Sequence, residues 1–498
     1  MRIRKDNNLI QRLPELISAA LLVYLSIYMI RHFLVTVPFP YPVEYGEGVI
    51  VNWIIRTSHG MLLYPPIGPG DIPWLHNPYG PLFFHLAAPF AGIGKSVFLM
   101  PRMLSVLGFM ICIILLYRLS RRDLSPAAAL GACALFGASP LVWRYTAMAR
   151  VDMLALAASI AAVLFMEKAI PIAGTAHKKI LPRHLWLWLF AGVFAATAVL
   201  IKPIFAAALL AGLILSFRKG WKPFAIFAAG FLIPVLLAGA WLIASGNTAI
   251  IYHFGEMNSI GSSFKTMLRL ALTAAGRYPF VLAILLFGLW TGDRNSPRWW
   301  FALFTAVFLA TSAKIGADVH YYLVPIAAAV LLAGPLYVRI SGRKRIQTVS
   351  WCLAAQLALY IPLAPQPVFT ATYGQEVPAG QTVLTPRDAD LEIGRLLVEE
   401  IGGAPGPVLA DDIGYVLSAK RQIQLQPFQY GWLVRRGKLD PVSLLRKIRE
   451  GYFSIIIIRM PRADGTGGSD FPEPVIRTVE ENCSLTREIG PYRIYGNP

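Results

Sequence analysis

Residues 82–94 read LFFHLAAPFAGIG, and whether this stretch crosses a membrane decides the topology of everything that follows it. It is apolar, but it is short and is interrupted by His85, Pro89 and two glycines. A spanning helix needs roughly 17–25 mostly apolar residues. Counted as a span, it would also send Arg118, Arg121 and Arg122 to the outer side, against the preference of Lys and Arg for cytoplasmic loops. The stretch therefore reads as a juxtamembrane or partly inserted helix.

Around it lie apolar runs near 14–36, 101–118, 127–143, 151–167, 185–201, 203–217, 223–245, 278–292, 299–314, 321–338 and 346–364. Eleven crossings place the basic clusters on the side of the N-terminus: Arg2 to Arg12, Arg118 to Arg122, Lys168 to Arg183, Arg218 to Lys222, Arg294 and Arg298, and Arg339 to Arg345. That side is then cytoplasmic. The first run is too long for a cleavable signal peptide, and Phe39-Pro40-Tyr41-Pro42 stands where a small-residue cleavage site would be needed. Composition agrees: of 498 residues 56% are hydrophobic and only 15% charged, where soluble domains carry about 25% charged residues. The net charge of +19 falls between apolar runs, so it marks membrane orientation and not a nucleic-acid partner. Four cysteines, three of them inside apolar runs, suggest no disulfide framework.

The expected fold is an all-α polytopic membrane domain over residues 1–365, with about eleven transmembrane helices plus juxtamembrane helices. A soluble extracytoplasmic α/β domain over 366–498 follows. In that tail, strand-like runs at 406–410 and 454–458 alternate with amphipathic helical patterns at 387–401 and 440–450.

The outer side collects the polar residues that invite chemistry. Its first loop, 37–100, contains Glu44 and Glu47, whose spacing of three puts both carboxylates on one face if a helix starts at 44. They suit a general base; equally, acids favour the first turn of any helix. His76, Asn77 and Tyr79 in LHNPYGPL are substrate contacts or an interfacial belt of turn and aromatic residues. Lys202, before Pro203 and among apolar residues, reads as a lone cation for a phosphate or as a lysine snorkelling to the headgroups. Arg150 and Asp152 are ligand contacts or a local pair at a helix start. Arg144, Lys314, Asp318 and His320 fall in further outer loops. The sequence holds no HExxH, CxxC, Walker loop, GxGxxG after a strand, or GxSxG.

Taken in order, Glu44-Tyr45-Gly46-Glu47-Gly48, Gly60-Met61-Leu62-Leu63-Tyr64-Pro65, Asn77-Pro78-Tyr79-Gly80-Pro81-Leu82, Ala149-Arg150-Val151-Asp152, Ile201-Lys202-Pro203 and His320-Tyr321-Tyr322 resemble the GT-C superfamily of integral-membrane glycosyltransferases. The likeness is to the bacterial branch similar to aminoarabinose and protein O-mannosyl transferases. It implies a sugar donor linked to polyprenyl phosphate, an acceptor hydroxyl on a lipid, glycan or protein, and a site on the outer face of the cytoplasmic membrane. It implies Glu47 or Glu44 as catalytic base, Lys202 and Arg150 as ligands of the donor phosphate, and His76, Asn77, Tyr79, Asp152, His320 and Tyr321 as substrate contacts. Many relatives carry an Asp-Glu pair where this chain has Gly46-Glu47, so the base stays open between the two glutamates. The resemblance fixes no cofactor; some members use a divalent cation, which Asp71 or Asp152 could help Glu44 to bind. A lipid-linked sugar flippase or other transporter, and an O-antigen polymerase or ligase, remain the competing readings. The first would favour paired repeats with broken helices, and the second does not need an acidic motif directly after the first helix.

Overall fold

The structure is a computed structural model that describes residues 8–68, 71–170, 181–258, 260–339, 343–364, 385–461 and 468–497. The expected domain boundary at 365–366 lies outside the described residues. Helix α1 (Asn8–Thr36) leads into a loop that carries α2 (Tyr45–Ser58) and α3 (Leu82–Ala87). The bundle continues with α4 (Leu99–Ser120), the bent pair α5 (Pro126–Gly137) and α6 (Pro140–Thr146), α7 (Asp152–Ala169), α8 (Leu181–Ile201), α9 (Ala207–Arg218) and α10 (Trp221–Ala244). A short α11 (Ile250–Phe254) precedes a second bent pair, α12 (Phe264–Arg277) and α13 (Pro279–Thr291). Then come α14 (Pro297–Phe308), α15 (Leu323–Arg339) and α16 (Arg343–Tyr360).

Each of the eleven expected apolar runs contains helix. Among the described residues six helical stretches are long and apolar enough to cross a membrane, and the number reaches 8 if each bent pair is one span. The protein is therefore a multi-pass membrane protein, but length and composition alone support fewer spans than the expected eleven. The shortfall has plain causes: α7 carries Asp152, Glu167 and Lys168, while α9 and α14 have 12 residues each. Residues 82–90 form a six-residue helix and one 3-10 turn. At about 1.5 Å rise per residue that is roughly 14 Å, half of a hydrocarbon core. Helix α10 exposes Leu232, Ile233, Leu236, Leu237 and Ile243, which suits a helix solvated by lipid, whereas the middle of α15, Ile326 to Leu332, is buried at the bundle centre.

The two ends of the bundle differ. At one end, Arg298 opening α14 pairs with Glu167 of α7 and with Asp123 beyond α4, and Arg122 also reaches Glu167. The starts of α4 and α7 and the end of α8 lie at the opposite end, together with the first loop.

The C-terminal unit sits on that second end. It comprises α17 (Asp388–Gly403), α18 (Ile413–Ser418), α19 (Pro427–Arg435), α20 (Val442–Arg449), α21 (Glu473–Asn482) and a four-stranded sheet of β1 (Val408–Ala410), β2 (Ile455–Arg459), β3 (Ser484–Ile489) and β4 (Tyr492–Gly496), in the order β1-β2-β4-β3. Strands β1 and β2 are parallel and the other pairs antiparallel. The run of four isoleucines lies in β2 because both faces of that strand are covered. Ile457 joins the cluster with Leu397 and Ile401 of α17, and Ile456 and Ile458 join Leu444, Ile448, Val475 and Val479 on the other side. The unit docks by close backbone approach: a Cβ on Gly48 of α2 would stand 2.8 Å from the Gly414 nitrogen, and one on Gly394 would stand 2.1 Å from the Tyr41 ring. Backbone bonds of Trp74 to Gln424 (2.9 Å) and of Gln426 to Trp74 (3.3 Å) fasten the first loop to the segment before α19.

Candidate active site

Helix α2 starts one residue later than a shared face for the two glutamates requires. Glu44 is its N-cap, in extended conformation (φ −159°, ψ 145°), and accepts a 2.9 Å bond from the Gly46 nitrogen. Glu47 lies in the first turn. A cap and a first-turn residue project differently, so the pair separates.

Glu47 turns inward and is 0% exposed. Its Oε1 accepts from Arg102 Nε (2.8 Å) and the Ala149 nitrogen (2.7 Å). Its Oε2 accepts from Arg102 Nη2 (2.8 Å) and the Val43 nitrogen (2.8 Å). Arg102 spends its remaining donors on the carbonyls of Thr36, Phe39 and Tyr41, which end α1 and open the loop. Glu44 instead lines an open cavity of about 1270 Å³. Its Oε2 takes both the Gly46 bond and an ion pair from Arg150 Nη2, and neither contact uses Oε1.

Arg150 thus pairs with Glu44 and not with Asp152, correcting the local pair weighed from the sequence. Gly46 permits this, because a Cβ there would meet the Arg150 guanidinium at 2.6 Å. The Arg150 main chain is held by Ser105 of α4, which donates to its carbonyl at 2.8 Å and accepts from its nitrogen at 3.1 Å. Nor is Lys202 a lone cation: its Nζ donates to Asp152 Oδ1 at 2.7 Å. Asp152 is the first residue of α7, where the helix N-terminus favours an acid. The Lys202 ammonium lies 5.8–6.0 Å from the rings of Tyr79, Phe205 and Tyr321, within cation–π range.

Tyr79 reaches Lys202 because the loop before α3 presses on the end of α8. The Gly80 nitrogen donates to the Ile201 carbonyl at 3.2 Å, and a Cβ on Gly80 would sit 1.9 Å from the Leu200 oxygen. Gly80→Ala is therefore expected to push this loop off α8, lowering stability by about 1–3 kcal/mol and weakening any ligand held between Tyr79 and Lys202. Thermal melting in detergent together with ligand titration checks this.

Glu44, His76, Tyr79, Arg150, Lys202, His320 and Tyr321 all line the large cavity. Asp152 lines a smaller apolar one reached past Lys202, walled by Phe205, Phe301, Phe308, Leu309 and Val324. Two expected contacts serve the framework: His76 stacks on His253 (centroids 5.6 Å) with its Nε2 2.8 Å from the His253 carbonyl, and Asn77, 0% exposed, receives the Tyr79 nitrogen on its Oδ1. Asp71 caps its own turn, accepting from the Gly68 nitrogen at 2.7 Å. Among the described residues no three His, Cys, Asp or Glu side chains gather as a metal site. The acids at the cavities are each matched to a cation: Glu44 to Arg150, Asp152 to Lys202, Asp318 to Arg144 and Asp470 to Arg459. This donor set does not fit a divalent ion.

Several lining residues escape a reading of the sequence. Tyr145 donates to Asp318 Oδ2 at 2.7 Å, and Lys314 bonds Asn258 Oδ1. The opposite wall comes from the C-terminal unit, through Gln426, Phe428, Gln429, Lys438, Arg459 and Asp470. Burial pushes the Asp470 carboxyl up to about 6; nearby Asp411 adds to this and Arg459 opposes it. Arg144, Lys314 and Asp318 are visible in the sequence only as isolated loop charges, and the C-terminal wall carries no local signal.

Comparison with known proteins gives three results. Residues 76–244 match the family described as dolichyl-phosphate-mannose-protein mannosyltransferase. The fold matches that of ArnT from Cupriavidus metallidurans, with a TM-score of 0.58 at 12% identity over 96% of this chain and 97% of that one. A structure of the same protein bound to undecaprenyl phosphate matches with a TM-score of 0.57. The oligosaccharyltransferase of Archaeoglobus fulgidus aligns more loosely, with a TM-score of 0.48 at 11% identity over 88% of this chain and 69% of that one. No curated protein matches the sequence. The resemblance to the GT-C superfamily read from the short motifs is therefore borne out, in fold along nearly the whole chain and by the family match across residues 76–244.

Proposed function

We propose that the protein is a membrane glycosyltransferase that moves a sugar from a polyprenyl-phosphate donor to an acceptor hydroxyl. We place the site on the outer face of the cytoplasmic membrane, with eleven helical passages and the N-terminus inside. Residues 1–365 then form the transmembrane domain and 366–498 the extracytoplasmic one. ArnT, whose fold the chain shares, binds undecaprenyl phosphate, and the basic clusters at the far end of the bundle suit the cytoplasmic side.

The observation that carries the reading is the convergence, on one cavity, of the buried Lys202 ammonium, the half-buried Arg150 guanidinium and one half-engaged carboxylate. Lys202 and Arg150 receive the donor phosphate, and the prenyl chain leaves past Lys202 toward the apolar side chains of Phe205, Phe301 and Phe308. In the reaction the acceptor oxygen forms a bond to the anomeric carbon, and the bond from that carbon to the phosphate oxygen breaks. The phosphate keeps the electron pair, and the acceptor proton passes to Glu44 Oε1. Attack opposite the phosphate inverts the anomeric centre. The cations stabilise charge that grows on the leaving group, in a low-dielectric setting where such contacts are strongest. Glu44, and not Glu47, is the base in this scheme, because Glu47 has no acceptor position left.

The direct test incubates the purified protein with radiolabelled polyprenyl-phosphate sugars and follows label leaving the carrier; a carrier that keeps all its label under every acceptor condition overturns the reading. Lys202→Gln is expected to weaken undecaprenyl phosphate binding about tenfold or more, since a charge-assisted contact contributes about 1.5–3 kcal/mol. Unchanged affinity in a variant that melts normally rejects the phosphate role.

A further inference from the structure

We propose that the wall supplied by the C-terminal unit, Gln426, Phe428, Gln429, Arg459 and Asp470, is the acceptor subsite and that it takes a sugar ring, so that the acceptor hydroxyl belongs to a glycan. The proposal rests on the glycosyl-transfer reading above and adds the acceptor class to it.

Volume speaks first. Pockets for one small ligand run about 300–1,000 Å³, whereas this cavity measures about 1270 Å³. Room remains beside the donor headgroup. The chemistry of the two walls also differs. The bundle wall offers ion pairs and tyrosines, while the facing wall offers two primary amides, Lys438, a guanidinium–carboxylate pair 3.6 Å apart (Arg459 and Asp470) and an aromatic ring. Amides, carboxylate and guanidinium present donors and acceptors side by side, which matches adjacent ring hydroxyls that each donate and accept. A peptide would ask for a free strand edge or a row of side-chain pockets, and a lipid acceptor for apolar walls.

The most specific observation is at Gln426. The residue is 1% exposed; its Oε1 accepts from the His76 nitrogen at 2.8 Å, but its Nε2 has no partner. Gln426 lines the cavity, and because a buried donor without a partner is costly, a ligand hydroxyl placed against this amide gains by supplying one. Phe428 stands beside Tyr45, ring centroids 6.2 Å apart, one residue from Glu44. A sugar resting on this wall therefore borders the carboxylate that takes its proton.

The test uses the full chain in lipid nanodiscs and the methyl glycosides of glucose, galactose, mannose and N-acetylglucosamine as probes. Saturation-transfer NMR reads their binding, and a titration with undecaprenyl phosphate runs in parallel. At least one glycoside is expected to receive saturation, with the signal falling at least fivefold in Asp470→Asn and in Gln426→Glu while undecaprenyl phosphate affinity stays within twofold. Four silent glycosides, or a signal that both variants leave unchanged, overturn the acceptor assignment alone. Failure of the wild-type protein to bind undecaprenyl phosphate overturns the glycosyl-transfer reading instead.

Discussion

Glu44→Gln is expected to lower sugar transfer about 10²–10⁴-fold, the range that a positioned general base contributes, with little change in thermal melting or in undecaprenyl phosphate affinity. The amide keeps the size of the carboxylate and can still accept the Gly46 and Arg150 bonds on one oxygen. What it loses is basicity at the second position. Glu44 is also partly open to solvent, its side chain 26% exposed, so removing its charge leaves no sealed cation stranded: Arg150 keeps access to the cavity and to any phosphate bound there. The measurement is the initial rate of label transfer from a polyprenyl-phosphate sugar, beside the melting curve and the undecaprenyl phosphate titration. Transfer at the wild-type rate would remove Glu44 from the chemistry. A parallel collapse of melting and transfer would make it a structural cap, the role that acids at helix starts commonly fill.

How far the site was legible follows from how far each interaction reaches along the chain. Lys202 stands out in the sequence because Pro203 ends an apolar helix beside it, but its partner Asp152 lies fifty positions away, and no local pattern joins them. The choice between Glu44 and Glu47 turns on a one-residue shift in the start of α2, finer than hydropathy or capping preference resolves. In the C-terminal unit, β1, β2 and the amphipathic helices around them were readable from apolar runs and helical periodicity. The hairpin of β3 and β4 was not, because β3, SLTREI, is exposed along most of its length and so lacks the alternation that marks a half-buried strand. The Gln426 contact with the first loop spans 350 positions. Its residues are ordinary loop polars until the fold brings them together.

Glu47→Gln carries the opposite signature, and the contrast separates the two glutamates. Glu47 and Arg102 are both fully buried, and they tie together the end of α1, the first turn of α2, the start of α4 and the turn before α7. Four donors converge on the two Glu47 oxygens. A glutamine there must turn an NH₂ group toward two of them, and it leaves the Arg102 guanidinium charged with no counterion inside the protein. Breaking one side of a buried ion pair typically costs about 3–5 kcal/mol, so Glu47→Gln is expected to melt well below the wild type and to lose undecaprenyl phosphate binding and transfer together as the first loop loosens. Arg102→Gln should behave likewise, since Glu47 then keeps its charge without its partner and three carbonyls lose their donor. Circular-dichroism or dye-based melting in detergent reads the effect before any assay is run. If Glu47→Gln melts like the wild type and binds undecaprenyl phosphate normally yet transfers no sugar, Glu47 is the base and the pairing with Arg102 is part of the catalytic machinery; the assignment of Glu44 then fails on the same result.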